Sequence, residues 1–407
     1  MHGGSRPPAP GNLPAAVEDM QQDSELCRRF GFKRVLNAMG TPTILGASAV
    51  SPDVRSAVDS VLRISVEIDE LQAAACRVIS RHTGAEAGCV TSSCSAALAV
   101  AAAAAMTGPD LAAIARLPDP AGLRDRIVLP LGHDVNFGAP VSQMIRISGA
   151  EVVRIGTASH CDRFHLRGAL DERAAAVFYV DSGDVSPAGS FLTASECVEI
   201  AGARDVPVVV DSAAGADVRP FLAAGAALVL TSAHKRMGAP TSGMICGELD
   251  LVRSCYLQNY GIGRAMKVGK EGIVGCMAAV EAWYRRDVSL QQRRWKRLAG
   301  ILARTVAVRP GPEPFTAVVS LPGGSAASAR ALANSLREGE SPVWVGRADD
   351  AKRELWLDLR VIDEADAGAI ASRIADALAD PQPPAEDVPY HDLYWSERRL
   401  LEWPRWR

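Results

Sequence analysis

The 407-residue chain predicts an α/β protein built on a mostly parallel sheet buried on both faces, with a smaller α+β domain in its C-terminal part. Three observations carry this. Short apolar runs recur along the chain, helical or turn-forming material separates them, and the break Arg309-Pro-Gly-Pro-Glu-Pro314 divides this alternation from a second one on a smaller scale. A mass of 43.0 kDa exceeds one ordinary core, so two domains are expected.

Taken in order, residues 1–34 read as an N-terminal arm, rich in Pro, Gly and polar groups as far as 24. Ser51-Pro52-Asp53 caps a helix whose Val54, Ala57, Val58, Val61 and Leu62 fall at helical spacing, and a second helix over 67–82 precedes Thr83-Gly84. Strands are expected at 88–91, 127–131, 152–155, 175–181, 206–211 and 226–231. After Arg264 a long helix or helix pair runs to about Val306, and beyond the break 316–321, 325–337, 342–345, 354–359 and 364–378 alternate strand and helix. The expected domains are therefore 35–285, a small domain at 286–380 with its linking helix, and a tail at 381–407. Tyr390, Tyr394, Trp395, Trp403 and Trp406 give that tail aromatic surface to dock on its own or a partner subunit.

Composition narrows the function classes. Hydrophobic residues at 48% and charged residues at 22% are the balance of a globular enzyme. A net charge of −3 gives no general attraction for polyanions, so a small molecule is expected rather than nucleic acid. Nine cysteines, odd in number and never spaced Cys-x-x-Cys, point to reduced thiols in the cytoplasm and to no metal site. The N-terminus has no signal-type apolar core, and the run Ala96–Met106 is far shorter than the roughly 20 residues a bilayer requires. No membrane segment is expected.

In parallel sheets ligands bind where strands end. The run Val206-Pro-Val-Val-Val-Asp211 ends in a carboxylate, and Lys235 follows the next run in Thr-Ser-Ala-His-Lys. An amine and a carboxylate at neighbouring strand mouths are what pyridoxal 5'-phosphate (PLP) chemistry requires: the lysine forms the Schiff base, and the aspartate keeps a proton on the pyridine nitrogen. Alone, such an Asp could cap a helix and such a Lys could be a solvated surface group. Together, inside small-residue loops, they mark a site. Val90-Thr-Ser-Ser-Cys-Ser-Ala-Ala97 is a strand giving way to a helix, where free N–H groups would hold a phosphate and Ser92, Ser93 and Ser95 would add hydroxyls; ordinary N-capping is the alternative.

Four further features are candidates. His133, in Gly-His-Asp-Val-Asn-Phe-Gly, could contact the ring face and assist proton transfer, or be a structural hydrogen-bonding residue. Ser232 and His234, beside the lysine, join the candidate cofactor-binding set, although the His234 side chain could point away. The glycine-bracketed stretch Gly263–Glu271 carries Arg264, Lys267 and Lys270 and reads as a loop reaching an anion, or as a solvated charge run. Arg360, ending the alternating run Glu-Leu-Trp-Leu-Asp-Leu-Arg, could grip a substrate carboxylate or form a surface ion pair.

With these residues in view, the chain resembles the fold-type I (aspartate aminotransferase-like) PLP enzymes, and among them the group of bacterial selenocysteine synthase and D-glucosaminate-6-phosphate ammonia-lyase. The likeness runs from about Val35 to Leu378. Its markers are Leu36–Thr43, Asp69-Glu-Leu71, Thr83–Glu86, Gly132–Pro140, Pro207–Asp211, Lys235, Gly263–Glu271, Gly346-Arg347 and Leu357–Arg360. The resemblance implies a seven-stranded, mainly parallel sheet in the large domain and active sites built at a subunit interface of at least a homodimer. It implies Lys235 as the Schiff-base residue, Asp211 as the pyridinium partner, Ser92, Ser93 and Cys94 as the phosphate turn, and His133 at the ring. Asn37, Thr41, Thr43, Arg264, Lys267 and Arg360 would lie towards the substrate. The lysine segment departs from the family's usual Gly-Gly-Lys or Gly-Asp-Lys, reading Ala-His-Lys-Arg-Met-Gly-Ala-Pro.

All such routes begin when the substrate amine displaces Lys235, and elimination, racemisation and transamination then share loss of the Cα proton to the freed lysine amine. The first expectation is an ammonia-lyase or dehydratase acting on a β-hydroxylated or β-substituted amino acid or amino sugar acid, with His133, His234 or Lys235 as the acid at Cβ. A racemase or epimerase comes second and an aminotransferase third. A tRNA-dependent selenium transferase is expected to carry a substantial RNA-binding region before the shared core, where this chain has only residues 1–34. A non-catalytic protein of this fold is opposed by the intact Lys235–Asp211 pair.

Overall fold

The computed structural model describes residues 25–183, 185, 189–215, 217–322, 328–381 and 401. It separates into two units, Ala47–Arg286 and the combined segments Met1–Gly46 and Asp287–Arg407.

Ala47–Arg286 is built on seven strands: β1 Ala87–Thr91, β2 Arg126–Pro130, β3 Glu151–Ile155, β4 Ala174–Val180, β5 Val208–Asp211, β6 Leu228–Ser232 and β7 Gly243–Gly247. Their order across the sheet is β1-β7-β6-β5-β4-β2-β3. β7 runs antiparallel to both neighbours and the other pairings are parallel. Alternate residues face two apolar layers, Val128, Val177, Val208, Val210 and Val229 on one side and Ile127, Leu129, Phe178, Val209, Leu228 and Leu230 on the other. A strand buried on both faces has no polar positions to spare, which is why these strands read as unbroken apolar runs.

Helices begin and end where the sequence signals them. Ser51 accepts from the Val54 amide and Pro52 opens the helix Pro52–Leu62. The helix Ile68–Thr83 stops at Gly84, whose φ of 79° is the left-handed geometry a C-terminal glycine adopts most easily. On that helix Gln72 donates to the Val90 carbonyl at 2.8 Å and accepts from the Val90 amide at 3.0 Å, bracing the end of β1. The helix Cys94–Thr107 is buried on all sides. Its alanines let the backbone pack closely among the sheet and the helices Val141–Arg146 and Leu249–Leu257.

The second unit holds a four-stranded antiparallel sheet in the order Arg347–Asp349, Glu354–Asp358, Thr316–Ser320, Val308–Pro310. Leu298, Leu302, Val319, Leu355, Ile370 and Ile374 form its core with the helices Val288–Leu302 and Ala367–Ala379. Here the expected boundary at 35 is corrected. Leu36–Ala38 pairs in parallel with Val343–Val345, and Arg34 grips Asp366 through two hydrogen bonds of 2.8 and 2.9 Å. The segment up to Gly46 therefore belongs with the C-terminal part, and the large unit starts at Ala47.

The long helical stretch after Arg264 is two helices, Lys270–Arg285 and Val288–Leu302, the second capped by Asp287. The punctuated stretch at 309–314 includes the end of a strand, Val308–Pro310, at the sheet edge, where proline's missing N–H leaves no ladder bond unmade. Residues 1–24 of the expected arm, and the expected docked tail apart from Pro381 and Leu401, lie outside the described residues. No helix among the described residues is long and apolar enough to cross a membrane.

Candidate active site

β4, β5 and β6 are parallel neighbours, and their register pairs Val180 with Asp211 and Asp211 with Leu230. Their C-terminal ends therefore form one edge. Asp211 closes β5 there and is 4% exposed. Its Oδ1 accepts from the Ala213 amide at 3.1 Å and from the Cys94 thiol at 3.4 Å. Burial pushes the Asp211 carboxyl up to about 6, against the Cys94 thiol, the Lys235 ammonium and the Ala213 amide, which stabilise the anion; Asp181 adds to the rise.

Lys235 sits in the loop between β6 and β7, its amide donating to the Ser232 carbonyl at 3.1 Å. The side chain is partly buried, and its positive charge favours the ionised forms of both Asp211 and Cys94. The structure thus gathers Lys235, Asp211 and Cys94 at one strand edge. Two groups at this edge carry no expected role from the sequence. Asp181 follows β4 and donates its amide to the Asp211 carbonyl at 2.8 Å, while the Ser212 hydroxyl donates to Asp181 Oδ2 at 2.8 Å. A second carboxylate ending the neighbouring parallel strand was the available signal.

Beyond β1 the chain turns into the helix Cys94–Thr107. Ser93 is its cap, its Oγ accepting from the Ala96 amide at 3.0 Å, and the Thr91 hydroxyl donates to the Ser93 carbonyl at 2.9 Å. Ser92 and Ser95 flank it, partly buried. Capping and anion binding are compatible here, because a helix start offers several free N–H groups and a cap occupies one. Gly243 of β7 passes so close that a Cβ there would collide with the Ser93 backbone and the Thr91 hydroxyl. The Cys94 side chain points to Asp211, so its backbone is the part it could offer to the phosphate turn expected from the resemblance.

His133 ends a short turn after β2 and is 1% exposed. Nδ1 accepts from the Val180 amide at 3.1 Å, and the ring meets Tyr179 edge-on at 4.7 Å and Phe191 at 5.2 Å. Burial pulls its pKa down to about 4. The imidazole is neutral with its hydrogen on Nε2. His234 is also kept below its ordinary range by burial, with Nδ1 lying 3.3 Å from Ser232 Oγ and 3.4 Å from the Ser242 carbonyl. Its own carbonyl accepts from the Ser48 hydroxyl at 2.8 Å. Ser232 and His234 thereby hold the loop that carries Lys235.

Arg264 and Lys267 are exposed. The charged stretch expected as one loop is divided: Arg264 lies on the turn Ile262–Met266, whereas Lys270 and Glu271 open the helix Lys270–Arg285. Lys270 donates to the Leu62 carbonyl, at the end of the helix Pro52–Leu62, and to the Ile64 carbonyl just past it. In the second unit, Asn37 closes a turn by donating to the Gly40 carbonyl and accepting from the Met39 amide, both at 2.9 Å. Thr43 starts a short exposed turn and Thr41 is partly buried. Arg360 forks onto Asp358 and lies 3.8 Å over the Phe315 ring, leaving Nη1 buried without a hydrogen-bond partner among the described residues.

A buried carboxylate, a nearby amine and a helix N-terminus on one sheet edge form a donor set that fits PLP. Among the described residues, no three His, Cys, Asp or Glu side chains gather as a metal-binding group. All nine cysteines are free.

No protein-family model matches the chain. It is 40% identical to D-glucosaminate-6-phosphate ammonia lyase of Salmonella typhimurium over 263 residues, 65% of this chain and 71% of that protein. It is 32% identical to the 5'-C-glycyluridine monooxygenase-decarboxylase of a Streptomyces species over 366 residues, 87% of this chain and 92% of that one. L-seryl-tRNA(Sec) selenium transferase of Serratia proteamaculans is 24% identical over 343 residues, 71% of this chain and 69% of the transferase. A solved structure of D-glucosaminate-6-phosphate ammonia-lyase matches with a TM-score of 0.81 at 33% identity, covering 87% of this chain and 99% of that one.

Proposed function

We propose a reaction from one premise: the chain belongs to the fold-type I, PLP-dependent family of D-glucosaminate-6-phosphate ammonia-lyase and selenocysteine synthase. It is a lyase that binds PLP and releases ammonia from a β-hydroxylated or β-substituted amino acid or amino sugar acid. D-glucosaminate 6-phosphate is the first substrate to test. The observation carrying this reading is a buried Asp211 carboxylate on which the Lys235 charge acts, in a chain 40% identical to such a lyase.

When bound, PLP supplies an electron sink for the pair left at Cα. The chain's own groups do the rest. Asp211 holds a proton on the ring nitrogen, being a carboxylate above a pH of about 6. The N-terminus of the helix Cys94–Thr107, with the Ser92, Ser93 and Ser95 hydroxyls, seats the phosphate. Lys235 Nζ takes the Cα proton and delivers it to the departing Cβ oxygen, which leaves as water. His133, held neutral, donates through Nε2 and fixes orientation rather than moving a proton.

Racemisation needs a second proton donor on the opposite face. Of the imidazoles that could supply it, His133 is held neutral and His234 is kept below its ordinary range by burial, and both are engaged through Nδ1, which supports elimination. Arg264, Lys267, Asn37, Thr41 and Thr43 are proposed for the substrate end. Arg360 is proposed for a carboxylate, with Asp358 orienting its fork; Arg360→Lys then raises KM more than it lowers kcat. A homodimer or larger homo-oligomer in the cytoplasm is proposed, supported for the compartment by nine free thiols.

The test is turnover of a substrate panel in deuterated water. Equimolar 2-oxo acid and ammonia support the lyase, and Lys235→Ala abolishes both them and the visible absorbance of bound PLP. Deuterium entering Cα with inversion, without ammonia, overturns the lyase in favour of a racemase. The similarity to a monooxygenase-decarboxylase over 87% of this chain favours one second reading, oxidative decarboxylation. Oxygen uptake matched by carbon dioxide release would establish it.

A further inference from the structure

Cys94 opens a helix but does not cap it. Ser93 already does so, which leaves the Cys94 side chain without a local task. It is 6% exposed and its sulfur lies 3.4 Å from Oδ1 of Asp211, itself 4% exposed. The Ala213 amide donates to the same oxygen at 3.1 Å.

We propose that Cys94 is a positioning residue for Asp211: with the thiol and the Ala213 amide both donating to Oδ1, the carboxylate is held in one orientation and presents Oδ2 to the ring nitrogen of the cofactor. This rests on the PLP reading above. The charged and titratable groups acting on Asp211 come from three further places: Lys235 from the loop after β6, Cys94 from the helix and Asp181 from the end of β4. Burial works against the Asp211 anion, and Cys94 is the largest influence opposing it, ahead of Lys235 and the Ala213 amide. Burial and Asp211 also raise the Cys94 thiol well above its ordinary value. The sulfur therefore keeps its proton and remains a donor at neutral pH. A thiolate there would repel the carboxylate it is needed to hold.

The experiment compares Cys94→Ala, Cys94→Val and Cys94→Ser in the full chain. Alanine and valine both remove the donor, valine while keeping most of the volume, and serine keeps a donor. The first readout is carboxyl-carbon NMR titration of Asp211 in apoprotein, with the signal assigned through Asp211→Asn. Asp211 is expected to titrate at higher pH in the alanine and valine variants and close to wild type in the serine variant. The second is the PLP dissociation constant, expected to rise roughly tenfold in the alanine and valine variants, the low end for a hydrogen bond to a charged group because a thiol is a weak donor, and to be largely restored by serine. Melting curves establish that the variants fold. An Asp211 titration unmoved by loss of the thiol overturns the proposal, and so does a folded serine variant as impaired as the alanine one. If wild-type protein fails to bind PLP, the proposed function falls, and the apoprotein titration still decides whether Cys94 acts on Asp211.

Discussion

The Val180 amide donates to Nδ1 of His133 at 3.1 Å, tying the turn after β2 to the last residue of β4. Burial holds the ring neutral, its pKa lowered from 6.5 to about 4. An unfolded chain takes up that proton more readily, so stability is lost as pH falls below 6.5, and the loss is complete near 4. A difference of this size corresponds to about 3 kcal/mol. His133→Gln, which can still accept from Val180 and never charges, is expected to flatten the acid limb. Denaturant unfolding at successive pH values checks it: a wild-type to variant difference that does not change with pH excludes a histidine held neutral.

Asp211 works with the opposite pH sense. Its folded pKa is raised from 3.8 to about 6, so burial costs no stability below 3.8 and its full amount above 6, again about 3 kcal/mol. In apoprotein, Asp211→Asn is therefore expected to be more stable than wild type at neutral pH, with the gain fading as pH falls towards 4. Saturating PLP should reverse the neutral-pH order, because an amide cannot hold a charged ring nitrogen as a carboxylate does. Unfolding curves with and without PLP measure both halves.

Particular residues explain what the sequence reveals and what it conceals. Strands such as β4 and β6 are legible because burial on both faces excludes polar residues, and Asp211 and Lys235 stand out because each is a charge just past such a run. β7 escapes detection: Gly-Met-Ile-Cys-Gly has glycine at both ends, and Gly243 is there for the approach to Ser93, a contact spanning 150 positions. Leu36–Ala38 is assigned to the wrong domain because its partner is Val343–Val345, which no local pattern announces. Cys94 joins the phosphate turn through the family resemblance, and a motif that locates a helix start does not give the direction of its first side chain. The same limit applies to His234, whose ring turns to Ser232 and Ser242.

Gly243→Ala tests the phosphate seat directly. The added methyl would meet the Ser93 main chain, and backbone cannot yield as a side chain tip does. The start of the helix Cys94–Thr107 must shift, at a cost of about 1–3 kcal/mol in stability. PLP affinity is expected to fall more steeply than affinity for pyridoxal, which lacks the phosphate. Equal losses for the two ligands would place the phosphate elsewhere.

Ser93 caps a helix and is proposed to seat the phosphate as well, and the choice of replacement separates the two. As the cap of the helix Cys94–Thr107 it satisfies the Ala96 amide, so Ser93→Ala is expected to cost about 1 kcal/mol of folding stability. Glycine is tolerated at such a position, and Ser93→Gly should cost only a few tenths. Neither variant retains the hydroxyl. If Ser93 also donates to the phosphate, both weaken PLP binding to a similar degree although only alanine lowers the melting temperature appreciably. If capping is its sole contribution, PLP affinity tracks stability and the glycine variant binds as wild type does. Ser95→Ala serves as the control, since Ser95 has no capping bond: it should leave melting unchanged and reduce PLP affinity alone.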